Sequence, residues 1–230
     1  MNPVRISTYE FSKCFWNKIF EHSSSWSRER NKLFDTMSRL NALERQAQKP
    51  TGSIPPFSCF ALYGLARYFQ PTNILEIGTY IGKSTLSMAH GVDRRGVEIH
   101  TCDISNDLTL PNNTECTIVQ YNEASNSMLD KIIEDDSIRF DMVNLDGRIT
   151  QEDIDKLSGI LTDDAVICLD DFEGIEKGVA NYSMLRATDR FSRYALIYPP
   201  QDSIITAMQF TGNSTTAVMI PMKLISFVSQ

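Results

Sequence analysis

Four short apolar runs of this chain end in acidic residues. Glu76 lies in Ile74-Leu75-Glu76-Ile77, Asp103 follows His100-Thr101-Cys102, Asp146 follows Met142-Val143-Asn144-Leu145, and Asp170-Asp171 follow Ala165-Val166-Ile167-Cys168-Leu169. One acid after a strand is as readily a helix cap or a solvated turn as a ligand. Four in series point to chemistry, because carboxylates accept hydrogen bonds from ribose hydroxyls and ligate hard cations. After the first acid comes Gly78-Thr79-Tyr80-Ile81-Gly82-Lys83-Ser84, a glycine turn leading into a helix. Glycines let backbone approach a ligand closely, and a helix start offers unpaired N–H groups, so the turn suits a nucleotide-type ligand.

Three ligands compete for that turn. A dinucleotide fingerprint needs G-x-G-x-x-G, and Thr79-Tyr80 after Gly78 breaks it. A phosphate loop needs G-x-x-x-x-G-K-[ST]; Gly82-Lys83-Ser84 fits its end, but Ile77 occupies the first glycine position. S-adenosylmethionine needs no phosphate cradle, and Glu76 offers a negative setting for its amine and sulfonium. Asp103, 27 residues beyond Glu76, stands near the spacing at which a carboxylate after a second strand takes both ribose hydroxyls. The acids at Asp146, Asp170 and Asp171 would repel one another if brought together, and a hard divalent cation such as Mg²⁺ removes that conflict.

The elements that must position these residues alternate. Strands are expected over 73–77, 98–102, 117–120, 140–145 and 165–169, with helices over 58–69, 83–90, around Met128 to Ile133, over 151–158 and over 176–189. Such βαβ alternation predicts an α/β fold, a mostly parallel sheet with helices on both faces. Strand-like runs 193–198 and 203–210, separated by Pro199-Pro200-Gln201-Asp202, predict a C-terminal antiparallel hairpin, while 211–230 has no assigned place.

Ahead of the alternating part, Phe11, Phe15 and Ile19 with Trp16 and Phe20, and then Leu33, Phe34, Met37 and Leu40, recur at helical spacing. A turn over 21–25 separates the two helices, and the proline-rich break 49–56 divides an N-terminal segment, 1–56, from a main domain, 57–230.

The net charge of −7 and pI near 5.0 give no positive field to gather nucleic acid or anionic membrane. Five cysteines, odd in number and without a C-x-x-C pair, read as buried thiols rather than a disulfide or zinc framework. No segment has the length and apolarity of a membrane span or a signal peptide, and a cytoplasmic location is expected.

The run Leu75–Ser84 resembles motif I, E-x-G-x-x-x-G-x-S, of the class I S-adenosylmethionine-dependent O-methyltransferases of the catechol and caffeoyl-coenzyme A type, and the resemblance spans about residues 57 to 210. It implies a Rossmann-like class I methyltransferase fold with a seven-stranded sheet. Glu76, Gly78, Thr79, Tyr80, Gly82, Ser84, Asp103 and Asp146 would then face the cofactor, with Ser84 on the methionine carboxylate and Ser125 and Asn126 on adenine. Asp146, Asp170 and Asp171 would hold the metal; the D-D-aromatic form Asp170-Asp171-Phe172 is similar to the metal-dependent sugar and macrolide branch.

By the resemblance, N-terminal helices cover the acceptor pocket or join a homodimer. The family's catalytic lysine position is Ile149 here, and the preceding Arg148, which does not give up its proton, would orient the substrate or pair with Glu152. Mg²⁺-dependent methylation of a hydroxyl on a catechol-like phenol or natural-product sugar is the expected activity. The alternatives are a P-loop nucleotide hydrolase and a methyltransferase-like binding domain without catalysis.

Overall fold

The computed structural model describes residues 8–21, 26–44, 53–104, 110 and 115–225. One seven-stranded sheet runs through it in the order β3-β2-β1-β4-β5-β7-β6. The strands are β1 (Asn73–Ile77), β2 (Glu98–Cys102), β3 (Thr117–Tyr121), β4 (Phe140–Leu145), β5 (Leu161–Leu169), β6 (Tyr194–Ile197) and β7 (Ala217–Pro221). The first five pair in parallel, and β7 lies antiparallel between β5 and β6.

Side-chain alternation divides the core into two layers. Ile74, Met142, Val166, Cys168 and Val218 face a layer built with α1 (Thr8–Glu21), α2 (Trp26–Glu44), α3 (Pro56–Phe69), α4 (Lys83–Gly91) and α8 (Asp202–Ala207). Leu75, Val143, Ile167, Leu169 and Met219 face the other, built with α5 (Ser125–Glu134), α6 (Gln151–Ile160) and α7 (Lys177–Arg186). Both faces are covered, which is why these strands read as nearly continuous apolar runs; each fully buried Leu or Ile contributes about 1.5–3 kcal/mol.

The two N-terminal helices form at the expected spacings. On α1, Phe15, Trp16, Ile19 and Phe20 are buried, and Phe20 stacks on Phe60 while Trp26 meets Phe60 edge-on. Trp16 Nε1 donates to the Tyr198 carbonyl at 2.7 Å, and Ser12 Oγ accepts from the Tyr198 amide at 3.0 Å, fastening α1 to the end of β6. The side chain of Leu40, residues 22–25 of the expected turn, and residues 49–52 of the proline-rich break lie outside the described residues.

Two expectations are corrected. The antiparallel pair exists, but the partner of β6 is β7, and the 203–210 run contains α8 instead of a strand. The physical reason is burial. Ala217–Pro221 is buried throughout and so fits an interior strand, whereas α8 buries only Ile204 and Ile205, on one side of a helix. The second correction concerns Cys14, which is exposed on α1; the other four cysteines are buried thiols. Among the described residues no helix is long and apolar enough to cross a membrane.

Candidate active site

The chain runs from β1 outward to β2 and β3, then returns to β4 on the other side of β1. Ligands of open α/β sheets bind at such a reversal, outside the carboxyl ends of the strands. Here the two central strand ends are bonded together: the amides of Asp146 and Gly147 donate to the Ile77 carbonyl at 2.9 and 2.7 Å. Gly78 sits between them at φ +104°, and a Cβ there would lie 2.9 Å from the Asp146 carbonyl carbon and the Gly147 nitrogen. Only glycine allows the β1 and β4 ends to close this far.

A cleft of about 180 Å³ opens above that junction. Of the expected residues, Gly78, Thr79, Tyr80, Ser84, Asp103 and Asp146 line it. Asp103 Oδ2 accepts from the Tyr80 amide at 2.8 Å, so the acid after β2 is held against the turn after β1. Tyr80 itself has φ +43°, a left-handed conformation uncommon for a non-glycine residue, and Gly82 at φ +80° leads into α4.

Glu76 lies beneath the turn with no exposure. Its carboxylate accepts from Thr101 Oγ1 at 2.7 Å, from Asn144 Nδ2 at 3.1 Å and from Thr85 Oγ1. Burial pushes its pKa up, and the hydrogen bonds from Ser84, Thr85, Thr101 and Asn144 oppose that. It ties together β1, β2, β4 and α4 rather than walling the cleft.

Other expected residues stand apart from the cleft. Ser125 and Asn126 begin α5, and Asn126 Oδ1 accepts from Lys156 Nζ. Arg148 is exposed and does not line the cleft; Glu152, its expected partner, pairs with Lys156 at 3.1 Å. Ile149 is buried at 6% exposure.

The remaining acids converge. Asp146, Asp170 and Asp171 each offer a carboxylate oxygen within 4.8 Å of the others. Asp171 has φ +50°, which turns the chain sharply after β5. Asp170, 2% exposed, has Oδ1 held by the hydroxyls of Thr215 and Thr216, both at 3.0 Å, in the segment leading into β7. Ser58 Oγ on α3 lies 3.0 Å from Ser214 Oγ and accepts from the Thr215 amide at 3.0 Å, steadying that segment. Burial raises the Asp146 carboxyl to about 8, aided by Asp170 and opposed by Lys177. Burial, and next Asp171, raise Asp170. Crowded, poorly hydrated carboxylates on an oxygen-only donor set suit a hard divalent cation.

Sequence reading missed Lys177. Its Nζ lies 2.6 Å from Asp146 Oδ1 and 3.0 Å from Asp171 Oδ2, and those partners raise its pKa to about 12 against the opposing effect of burial. A signal was present: Lys177 is the first residue of α7, where the helix dipole disfavours a cation. It also missed Lys83, 7% exposed in the cleft wall, and Ser53 and Ile54, through which the segment before α3 reaches the cleft.

No family model matches the sequence, and no curated protein matches it. Solved structures do. An O-methyltransferase from Bacillus cereus in complex with SAH superposes with a TM-score of 0.59 at 16% identity, covering 92% of this chain and 97% of that one. Cofactor-bound Rv0187 from MTB gives 0.56 at 14%, covering 95% and 99%. The O-methyltransferase TomG from Streptomyces achromogenes, involved in tomaymycin synthesis and solved with SAM, gives 0.55 at 15%, covering 91% and 95%. Sheet order, the antiparallel β7 and these superpositions agree: the chain has the class I methyltransferase fold in the form found in O-methyltransferases.

Proposed function

We propose that this protein transfers a methyl group from S-adenosylmethionine to a hydroxyl of a small molecule, a catechol-like phenol or a natural-product sugar. One observation carries the reading: the Gly78–Ser84 turn, the ribose-type acid Asp103 and the acid cluster at Asp146 share one end of the sheet, with Asp103 and Asp146 lining the same cleft. A nucleoside held by Asp103 would lie in the cleft that Gly78, Tyr80 and Asp146 also line. The choice of methyl donor is supported by two structures of the same fold, TomG solved with SAM and the Bacillus cereus O-methyltransferase solved with SAH.

In the transfer, the acceptor oxygen forms a bond to the methyl carbon as the carbon–sulfur bond breaks. The sulfonium becomes a neutral sulfide, and the hydroxyl proton leaves to solvent or to a carboxylate. Single displacement of this kind gains most from positioning and charge placement. Asp146, Asp170 and Asp171 would hold a divalent ion such as Mg²⁺. Bound there, it would supply Lewis-acid chemistry that favours ionisation of a hydroxyl. Asp103 would hold the ribose, Gly78 lets the β1 and β4 ends close beneath the turn, and Thr215 and Thr216 fix the Asp170 carboxylate in one orientation.

Calorimetric titration with S-adenosylhomocysteine and, separately, ATP, each with and without Mg²⁺, tests the reading. Binding of the homocysteine nucleoside alone is expected, with Asp103→Ala weakening it. ATP binding in its place would transfer the turn to the phosphate-loop reading.

A further inference from the structure

We propose that Lys177 is the resident cation of the acid cluster and that a divalent ion binds there only by displacing it. The inference rests on the metal part of the reading above. Its first support is position. The ammonium sits within hydrogen-bond distance of two of the three candidate ligands, Asp146 and Asp171, whose carboxylates come within 4.8 Å of each other and of Asp170. Mg²⁺ takes oxygen ligands at about 2.0–2.1 Å, so an ion bound to these oxygens and an ammonium bridging them claim the same space, with like charges in contact.

The second support is how the lysine is delivered. A Cβ on Gly178 would meet the Asp170 carbonyl oxygen at 2.2 Å, so the start of α7 is pressed against the acid turn itself. Lys177, the residue before, is therefore carried to the cluster by backbone packing and not by a long surface side chain folding over. A cation at that helix start opposes the dipole, and the two carboxylates more than offset it. Asp170 is treated differently: its Oδ1 is held by two hydroxyls, so it is fixed whether or not the ammonium is present.

The lysine thus keeps three mutually repelling carboxylates together before a metal arrives, and it weakens the metal's hold once it has. Asp146 and Asp171 stay near ligating positions, and the ion must work against an internal competitor of high effective concentration. When displaced, the ammonium remains tethered to the first turn of α7, beside the cleft that Lys177 already lines.

Mn²⁺ titration, followed by the paramagnetic resonance of the free ion, tests this on the full chain as wild type, Lys177→Met, Lys177→Gln and Lys177→Arg. Both neutral variants should bind Mn²⁺ roughly tenfold more tightly or better, equivalent to about 1.4 kcal/mol. The arginine variant, which keeps the charge, should gain nothing. Equal or weaker Mn²⁺ binding by both neutral variants overturns the proposal, as does no binding by any of the four. S-adenosylhomocysteine titration of the same samples separates the two levels of argument. If it binds all four while Mn²⁺ affinity is unmoved, the lysine role alone fails; if wild type does not bind it, the methyltransferase reading fails.

Discussion

Substituting Gly78 by alanine tests how tightly the ends of β1 and β4 must close. Two costs arise at this residue. An L-residue in the left-handed region costs about 1–2 kcal/mol. The new methyl would also stand 2.9 Å from two backbone atoms of Asp146 and Gly147, which cannot rotate away as a side chain would. Forcing a methyl into packed structure costs about 1–3 kcal/mol. Together these predict a loss of about 2–5 kcal/mol, a large part of the ~5–15 kcal/mol by which domains are stable. Gly96→Ala is the control, because Gly96 also has positive φ, +77°, but its Cβ would meet nothing within 4 Å. That variant should lose only the backbone cost, about 1–2 kcal/mol. Urea unfolding measures both. S-adenosylhomocysteine titration adds a second readout, since parting the two strand ends moves Asp146 relative to the turn in Gly78→Ala alone. If Gly78→Ala unfolds at the same urea concentration as Gly96→Ala and binds the nucleoside like wild type, the closure argument is wrong.

Two further outcomes follow from buried titratable groups. Burial lowers the His100 pKa, against the pull of Glu98, so the unfolded chain takes up the proton first. This contribution should be intact above the ordinary histidine value of about 6.5 and fall as pH drops through it; His100→Gln should remove it, making the change in urea midpoint between about pH 7.5 and 5.5 less destabilising toward acid than in wild type, while the contributions of His90, also lowered by burial, and of Asp146 remain. Burial raises Cys59 and Cys102 to about 12 and Cys116 to about 11, and raises Cys168 as well, while Cys14 is exposed. A disulfide-exchange reagent should therefore modify one thiol quickly in the native protein, and Cys14→Ser should abolish that phase.

The parallel half of the sheet was legible because strands covered on both faces must be continuously apolar and the acids after them mark the ends. Asp103, Asp146 and the Asp170-Asp171 pair could be placed at one edge from that fact alone. The C-terminal part was less legible. Ile204-Ile205-Thr206 has the β-branched composition of a strand, and only its one-sided burial makes it helical. Lys177 was missed for a different reason: its place at a helix start hints at a nearby anion without saying which one. Its partners come from the ends of β4 and β5, and sequence spacing does not reveal that a turn with Asp171 at φ +50° aims the next helix start back at both. The fixing of Asp170 by Thr215 and Thr216 depends likewise on an antiparallel strand whose place had not been assigned.

The bond between Trp16 and the Tyr198 carbonyl also sets an order of events during synthesis. The two residues are 182 positions apart. At roughly 5–20 residues per second, the indole waits on the order of 10–40 s for its acceptor to be made. Phe15, Trp16, Ile19 and Phe20 emerge before any of the seven strands, and β6, the strand they are fastened against, is the sixth. The nascent chain thus carries an aromatic face without its final cover until β6 has been made, and α1 can lock only when the sheet's outer edge exists. That fastening pairs the carbonyl and amide of Tyr198, just past the end of the edge strand β6, so neither group is left there for another chain to pair with.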